Sequence, residues 1–187
     1  GTSGYSGNGG AATFATLSSP AGVALDASGN IYIADGNNHV IRKVNLSGNI
    51  TTVAGNGTLG YSGDGGAATS AQLGDSLSVR VDASGNIYIA DYNNHRVRKV
   101  IDSSGVIITV AGAGIYGFSG DGGIATAAKL SKPSGLGIDV CGNVYIADAN
   151  SNRVRKVTSF AMPSDINKNG ITDNADFLML LAKYNTV

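Results

Sequence analysis

One block of the sequence occurs three times at nearly constant spacing. Residues 22–35 return as residues 79–91 and 136–148, and the closing Asp residues are 56 and 57 positions apart. A repeat at a fixed period predicts an architecture built from serial copies of one structural unit. It also means that a residue that recurs in every repeat is expected to have a structural role. A catalytic or binding role for such a residue needs independent support.

Each repeat begins with a glycine-rich heptapeptide, at residues 4–10, 60–66 and 117–123. Four glycines in seven residues predict a special loop rather than a helix or a strand. The loop lacks the Lys-Ser/Thr pair of a phosphate-binding loop, and its serines have no His partner that would activate them as nucleophiles. We expect its acidic or amide residue to have a structural role, held by side-chain-to-backbone hydrogen bonds (Asn8, Asp64 and Asp121).

Four short strands are predicted in each complete repeat. In the first copy they are residues 23–25, 30–34, 40–44 and 50–55, separated by polar turns such as residues 26–30. Short strands of this kind in serial repeats favour an all-β fold made of β-propeller blades with four antiparallel strands, and a solenoid is the alternative. The repeat exceeds the usual propeller period of about 40–45 residues by about a dozen, which the glycine-rich loop and the Ala/Thr/Leu stretch after it account for.

The repeat resembles the NHL repeat. The resemblance rests on Gly-Val-Ala-Leu-Asp at residues 22–26, Gly-Asn-Ile-Tyr-Ile-Ala-Asp at 29–35, and Asn-His-Arg-Val-Arg-Lys-Val at 94–100. It covers roughly residues 1–157 and implies NHL-type blades, which are most often found six to a propeller. In that family His39 and His95 are consensus turn residues, so we do not expect them to bind a metal.

The third repeat is expected to contain only three strands. It stops after residues 152–157, with no Thr-Val-Ala-Gly strand behind it. Three blades are too few to close a ring, and propellers commonly complete the last blade with a strand from the other terminus. The sequence therefore predicts a partial propeller that is either part of a larger one or completed by a second copy of the chain, as a homo-oligomer.

A different motif follows a linker at residues 158–164. Oxygen-bearing side chains occupy loop positions 1, 3, 5, 9 and 12, a glycine occupies position 6, and position 7 would offer a backbone carbonyl (Asp165, Asn167, Asn169, Asp173 and Asp176; Gly170; Ile171). This is the calcium-loop pattern of the EF-hand. The Asp at position 12 and the missing entering helix resemble the dockerin repeat, which implies Ca²⁺ binding and a cohesin-like protein partner. We expect a calcium loop and one helix over residues 165–187, the alternative being a polar turn that caps a helix.

Composition and charge exclude several function classes. The 13 basic and 13 acidic residues cancel, so no net charge draws the chain to nucleic acid or to an anionic membrane, and no apolar run is long enough for a membrane span. Cys141 is the only cysteine, which excludes an intrachain disulfide. Eight of the basic residues recur in the third strands, where we expect them to pair with nearby repeat Asp residues rather than bind RNA (Arg42, Lys43, Arg96, Arg98, Lys99, Arg153, Arg155 and Lys156).

These observations favour a secreted, non-catalytic binding or scaffold protein. Its propeller segment would present an interaction surface, and its tail would bind Ca²⁺. One alternative is a self-assembling structural protein whose open blade edge is completed by a neighbouring copy. The other is a fragment of a propeller lyase or hydrolase, because propellers related to NHL repeats include the peptidylglycine amidating lyase and lactonase-like hydrolases. Such an enzyme needs metal ligands on its innermost strands, and those strands are apolar here apart from Arg80.

Overall fold

The computed structural model describes residues 1–158, and this part of the chain forms three antiparallel sheets that follow one another along the sequence. The first blade contains strands β1 to β4 and the second contains β5 to β8, each in sequential order, while the third contains β9 to β11. Their bounds are β1 Pro20–Leu25, β2 Ile31–Asp35, β3 Val40–Val44, β4 Ile50–Ala54, β5 Ser76–Val81, β6 Ile87–Asp91, β7 Arg96–Ile101, β8 Val106–Ala111, β9 Pro133–Ile138, β10 Val144–Asp148 and β11 Arg153–Val157. The predicted four-stranded blades are confirmed, and so is the third blade's count of three strands within the described residues.

The remaining regular structure consists of single 3-10 turns. They lie after each glycine-rich loop and between the second and third strands of each blade, at Ala12–Phe14, Gly36–Asn38, Ala68–Ser70, Tyr92–Asn94, Ala125–Ala127 and Ala149–Ser151. His39, His95 and Asn152 end the second set in the left-handed conformation, with φ near 53°. Within residues 1–158, no helix is long and apolar enough to cross a membrane.

Asx turns close the hairpins between the first and second strands. In the first blade, the Asp26 carboxylate accepts hydrogen bonds from the backbone N–H groups of Ser28 and Asn30 (3.0 and 2.9 Å) and from the Asn30 side chain (2.7 Å). The Asn30 side chain is the main reason that the pKa of Asp26 lies below its usual value. Asp82 and Asp139 make the same bonds in the other blades, so the repeated Asp-x-x-Gly-Asn sequence fixes the register of every hairpin.

The first strand of each blade is the innermost, because β5 packs between β1 and β9. These strands approach closely: a side chain on Gly22 would lie 2.8 Å from the Leu77 carbonyl oxygen. A larger residue at this position would push the first two blades apart.

Alternate residues of each blade pack against the two neighbouring blades. Between the first and second blades, the first contributes Tyr32, Ala34, Ile41 and Ala54, and the second contributes Val79, Ile87, Ile89, Val100 and Ile107. Between the second and third, the corresponding sets are Tyr88, Ala90, Val97 and Ala111 against Leu136, Val144 and Ile146. Each blade therefore has a leading face, which meets the preceding blade, and a trailing face, which meets the next one.

The outermost faces are open within the described residues. On the leading face of the first blade, Val23 is 61% exposed, whereas its counterpart Val79 is fully buried. On the trailing face of the third, Val154 is 74% exposed, whereas its counterpart Val97 is fully buried. The apolar residues at the two ends are those that a further blade would cover.

Candidate functional site

The predicted calcium ligands lie outside the described residues. This holds for the whole loop from position 1 to position 12 and for the helix expected after it (Asp165, Asn167, Asn169, Ile171, Asp173 and Asp176). The calcium site therefore stays a prediction. Within residues 1–158, no group of three His, Cys or acidic side chains is placed to hold a metal ion.

The repeated arginines of the third strands are buried. Arg42 and Arg98 are fully inaccessible, and each faces a fully buried Asp at the end of the second strand of its own blade. The distances are 3.8 Å from Arg42 Nη1 to Asp35 Oδ2 and 3.5 Å from Arg98 Nη1 to Asp91 Oδ2. The predicted local pairing of these residues is confirmed, and the two buried arginines are unavailable to nucleic acid.

Each repeated arginine also anchors a glycine-rich loop. Arg98 Nη2 donates to the Ser62 carbonyl oxygen (3.1 Å) and to Asp64 Oδ1 (2.6 Å). The Tyr61 ring of the same loop stacks on Arg96 and Arg98, whose guanidinium carbons lie 3.6 and 4.8 Å from its centre. Burial raises the pKa of Asp64, but hydrogen bonds from Thr109 and Tyr61 and the charge of Arg98 outweigh it, so the pKa lies below the usual value.

Sequence reasoning missed the role of the aromatic residue in the loop. Tyr5, Tyr61 and Phe118 occupy equivalent positions, and each ring stacks on an arginine of the following third strand. The signal was present as an aromatic residue after the first glycine of every loop, but its partner lies more than 30 residues further along the chain. One face of each of these rings is therefore covered by an arginine of the same blade, while the ring stays partly exposed.

The two histidines connect neighbouring blades. His39 Nδ1 lies 3.4 Å from the Gly74 carbonyl oxygen and 3.4 Å from Asp75 Oδ1, in the segment that leads into the second blade. His95 Nδ1 accepts a hydrogen bond from the backbone N–H of Lys132 (3.3 Å), just before the third blade. Burial, with the nearby Lys132 cation, lowers the pKa of His95. These contacts agree with the prediction that the histidines are turn residues.

Two recesses lie near the first two blades. An apolar recess of about 520 Å³ is lined by Val23, Leu25, Ile31 and Arg80. Arg80 Nη1 donates to the Val79 carbonyl oxygen (2.7 Å) and approaches that of Val23 (3.5 Å), so its guanidinium is used in joining the blades. The second recess, of about 290 Å³, is polar and lined by residues of the hairpin turns, including Asp26, Asp82, Asp102 and Lys43.

Large apolar side chains are concentrated in the connections that carry the glycine-rich loops. We define the loop surface as the exposed members of this set: Tyr5, Phe14, Leu59, Tyr61, Ile115, Tyr116, Phe118 and Ile124. Tyr116, 58% exposed, contacts the ring of His95 edge to face at 5.4 Å, and its hydroxyl interacts with Ser131 and Asn150, which lower its pKa. Rigidly held aromatic side chains at the surface are typical of protein-binding sites.

Two protein-family models match parts of the chain. Residues 1–62 match the model of the teneurin NHL domain, and residues 77–100 match that of the NHL repeat. The chain is 30% identical over 158 residues to Protein SUPPRESSOR OF QUENCHING 1, chloroplastic, from Arabidopsis thaliana, and 26% identical over 251 residues to human teneurin-1. These alignments cover 80% and 92% of this chain but only 15% and 9% of the relatives.

Solved structures agree on the fold. A Bacteroides thetaiotaomicron protein of unknown function is 27% identical and superposes with a TM-score of 0.62 over 68% of this chain and 32% of its own. An auxiliary nutrient binding protein from Bacteroides ovatus, 20% identical, gives a TM-score of 0.56 over 72% of this chain and 36% of its own. The matches and the blade geometry together support the predicted NHL-type propeller.

Proposed function

Because the chain is built from NHL-type β-propeller blades, we propose that it is a non-catalytic binding or scaffold protein that works outside the cell. The loop surface would bind a protein partner, and the calcium loop of residues 165–176 would fix or dock the tail, with a cohesin-like protein as one partner. The single observation that carries the proposal is the loop surface itself: all three connections present large apolar side chains on loops that internal contacts hold in place.

Rigidity is what makes these side chains suited to binding. The Tyr5 hydroxyl bonds to Thr52 Oγ1 (2.7 Å), and that of Tyr61 donates to Asp64 Oδ2 (2.8 Å). An aromatic group that is already ordered loses little conformational entropy when a partner covers it. Apolar surface held in this way at three equivalent positions favours contact with a protein over contact with a small molecule.

The inner strands support a non-catalytic role. β1, β5 and β9 carry no carboxylate and no imidazole, the groups that a metal-dependent propeller enzyme would place around its channel. Arg80 is their only charged residue, and it bonds to backbone carbonyls. An enzyme fragment therefore has less support than a binding module.

The binding role is tested by capture experiments with a matched pair of variants. The immobilised chain would be incubated with the secreted proteins of the organism that makes it. Proteins that bind the unaltered chain should not bind the double variant Ile115→Ser, Tyr116→Ser. Leu46→Ser is the control, because Leu46 is 76% exposed on a different turn. Identical protein sets on all three chains would contradict the proposal.

The calcium assignment has its own test. Three carboxylates among the ligands predict weak to moderate affinity, with a Kd of roughly 10⁻⁴–10⁻³ M as in extracellular modules. Calorimetric titration of the full chain should show one site, and Asp165→Ala with Asp176→Ala should remove it. Absence of binding at about 10 mM Ca²⁺, well above that range, would refute the assignment and weaken the extracellular setting that depends on it.

Self-association is the second candidate function. It is favoured by the open end faces, where Val23 and Val154 are exposed although their counterparts are buried between blades. A trailing face of one copy meeting a leading face of the next would repeat the chain's own internal interface, and two copies would bring together six blades. Multi-angle light scattering should show a dimer that Val154→Asp dissociates; a monomer at all concentrations would exclude this function.

A further inference from the structure

Two equivalent histidines use the same ring nitrogen in opposite ways. His39 and His95 both lie in the left-handed conformation, and each ring reaches the segment that leads into the next blade. His39 Nδ1 faces two oxygens, those of the Gly74 carbonyl and the Asp75 carboxylate, both at 3.4 Å. His95 Nδ1 instead faces a donor, the Lys132 backbone N–H at 3.3 Å. The first ring therefore donates from Nδ1, and the second accepts there.

The residue just before the next blade accounts for this difference. Asp75 directly precedes β5, and Lys132 directly precedes β9. The acidic residue adds a second acceptor beside the ring of His39, whereas the basic residue places a cation near His95. One position of the repeat thus carries opposite charges at the two junctions between blades.

Protonation of the ring affects the two contacts differently. Nδ1 of His39 can donate whether the ring is neutral or charged, so its contacts with Gly74 and Asp75 persist in acid. Nδ1 of His95 accepts a hydrogen bond only while it carries no hydrogen. Once protonated, its N–H would point at the N–H of Lys132, so the ring must move away from this segment.

The charged groups that act on His95 lie on three parts of the fold. They are Lys132 in the segment before the third blade, Arg96 at the start of β7 and Asp148 at the end of β10. Burial and the two cations lower the pKa of His95 more than the Asp148 carboxylate raises it, so the pKa lies below its usual value. The proton is therefore bound more readily when the ring has left its site.

His95 also supports part of the loop surface. Its ring contacts the Tyr116 ring edge to face, with 5.4 Å between the two centres. Tyr116 and the preceding Ile115 are 58% and 54% exposed. A histidine ring that moves away from the Lys132 segment also withdraws this support, and the two exposed side chains then lose the order that suits them to binding.

We propose that His95 is an acid-sensitive switch for the part of the loop surface formed by Ile115 and Tyr116. The neutral ring holds residues 113–132 in place, and the protonated ring releases them. A protein bound through this part of the surface would then dissociate in acid. This inference rests on the proposed binding function and specifies its regulation.

Proton linkage sets the size of the effect. In the open state the ring takes up a proton at the ordinary pKa of about 6.5, whereas in the closed state it resists protonation. The open fraction should therefore grow as pH falls below about 6.5, by at most about tenfold at one pH unit below this value. The equivalent residues 56–75, which His39 contacts, should show no such growth.

Hydrogen exchange of the full chain, followed by mass spectrometry of its peptides, measures the opening of each segment. Protection factors, which correct for the intrinsic pH dependence of exchange, would be compared at about pH 7.5 and about pH 5.5. We expect protection of residues 113–132 to fall about threefold to tenfold between these conditions. Protection of residues 56–75 should stay the same.

The chain itself indicates a suitable variant. Asn152 occupies the equivalent position in the third blade, in the same left-handed conformation, so His95→Asn should fold and show equal protection at both pH values. His39→Asn is the matched control and should leave the acid response of residues 113–132 unchanged. Lys132→Asp should reduce that response, because it replaces the cation beside His95 by a carboxylate.

Binding provides a second measurement. Proteins captured through Ile115 and Tyr116 at about pH 7.5 should elute at about pH 5.5 from the unaltered chain but stay bound to His95→Asn. Equal elution from the two chains would overturn the switch. Equal losses of protection in the two segments, or an acid response that persists in His95→Asn, would also overturn it.

The outcomes separate this inference from the proposed function. Capture at about pH 7.5 does not depend on the switch. If that capture fails, the binding function is contradicted, while hydrogen exchange still decides whether residues 113–132 open in acid. If His95→Asn does not fold, Lys132→Asp and the two segments of the unaltered chain decide the question.

Discussion

Replacing Arg98 by alanine should be among the most damaging single changes in residues 1–158. The guanidinium is fully buried, and it faces the fully buried Asp91 carboxylate at 3.5 Å. Without it, Asp91 keeps hydrogen bonds from the Gly74 N–H and the Asn94 side chain but loses its cation. Breaking a buried ion pair from one side costs about 3–5 kcal/mol, and the lost stacking on Tyr61 adds about 1 kcal/mol.

The expected loss is therefore about 4–6 kcal/mol, a large share of the 5–15 kcal/mol by which domains are typically stable. Arg155→Ala is the matched comparison. Its acidic loop partner, Asp121, is mostly exposed, and ion pairs open to water contribute about 0–1 kcal/mol. The substitution also leaves the buried Asp148 carboxylate, 3.9 Å from Arg155, without its cation. We therefore expect the free energy of unfolding to fall by about 2 kcal/mol.

Urea unfolding followed by circular dichroism measures both losses, at constant Ca²⁺ and with the denaturant slopes compared so that a change in unfolding cooperativity is recognised. The reasoning would be refuted if Arg98→Ala lost less than about 1 kcal/mol, the scale of an exposed ion pair. It would also fail if Arg155→Ala proved as damaging as Arg98→Ala, because burial would then not set the magnitude.

Three further changes test other parts of the fold. Asn8→Asp should raise stability by about 1 kcal/mol, because it supplies a carboxylate to the buried Arg42, as Asp64 does for Arg98 Nη2 in the second blade; an unchanged melting temperature would contradict this. His95 accepts the Lys132 N–H only when neutral, and its pKa is lowered on folding, so the unfolded chain takes up the proton first as pH falls below about 6.5. Stability should therefore decline below that pH, and His95→Gln should flatten the profile measured by urea titrations. Gly112→Ala should cost more than about 2 kcal/mol in thermal melts, because its φ of 91° and the His95 carbonyl leave no room for a methyl group.

Local patterns were sufficient to predict the strands and turns. The third strand of the first blade is predicted at residues 40–44 and is observed as Val40–Val44, because the polar turns on both sides define it. The first strand begins at Pro20, three residues earlier than predicted. Its pairing with the second strand shifts between Pro20 and Gly22, and the sequence pattern gives no sign of this irregularity.

Contacts between distant segments were beyond local patterns. The alternation of side chains along a strand places Arg42 and Ile41 on opposite faces of the sheet. It does not indicate whether a charged side chain reaches solvent or is covered by another segment. The cover is the loop at residues 4–10, which lies more than 30 positions away. Sequence alone gave the correct expectation of local pairing for the repeated arginines but not their complete burial.

The unusual length of the repeat has a physical explanation in these contacts. A blade that ended at its fourth strand would expose a row of unpaired backbone groups, which invites edge-to-edge association. Here the extra residues return along that edge, and Asn8 or Asp64 replaces a backbone carbonyl where the loop itself cannot pair.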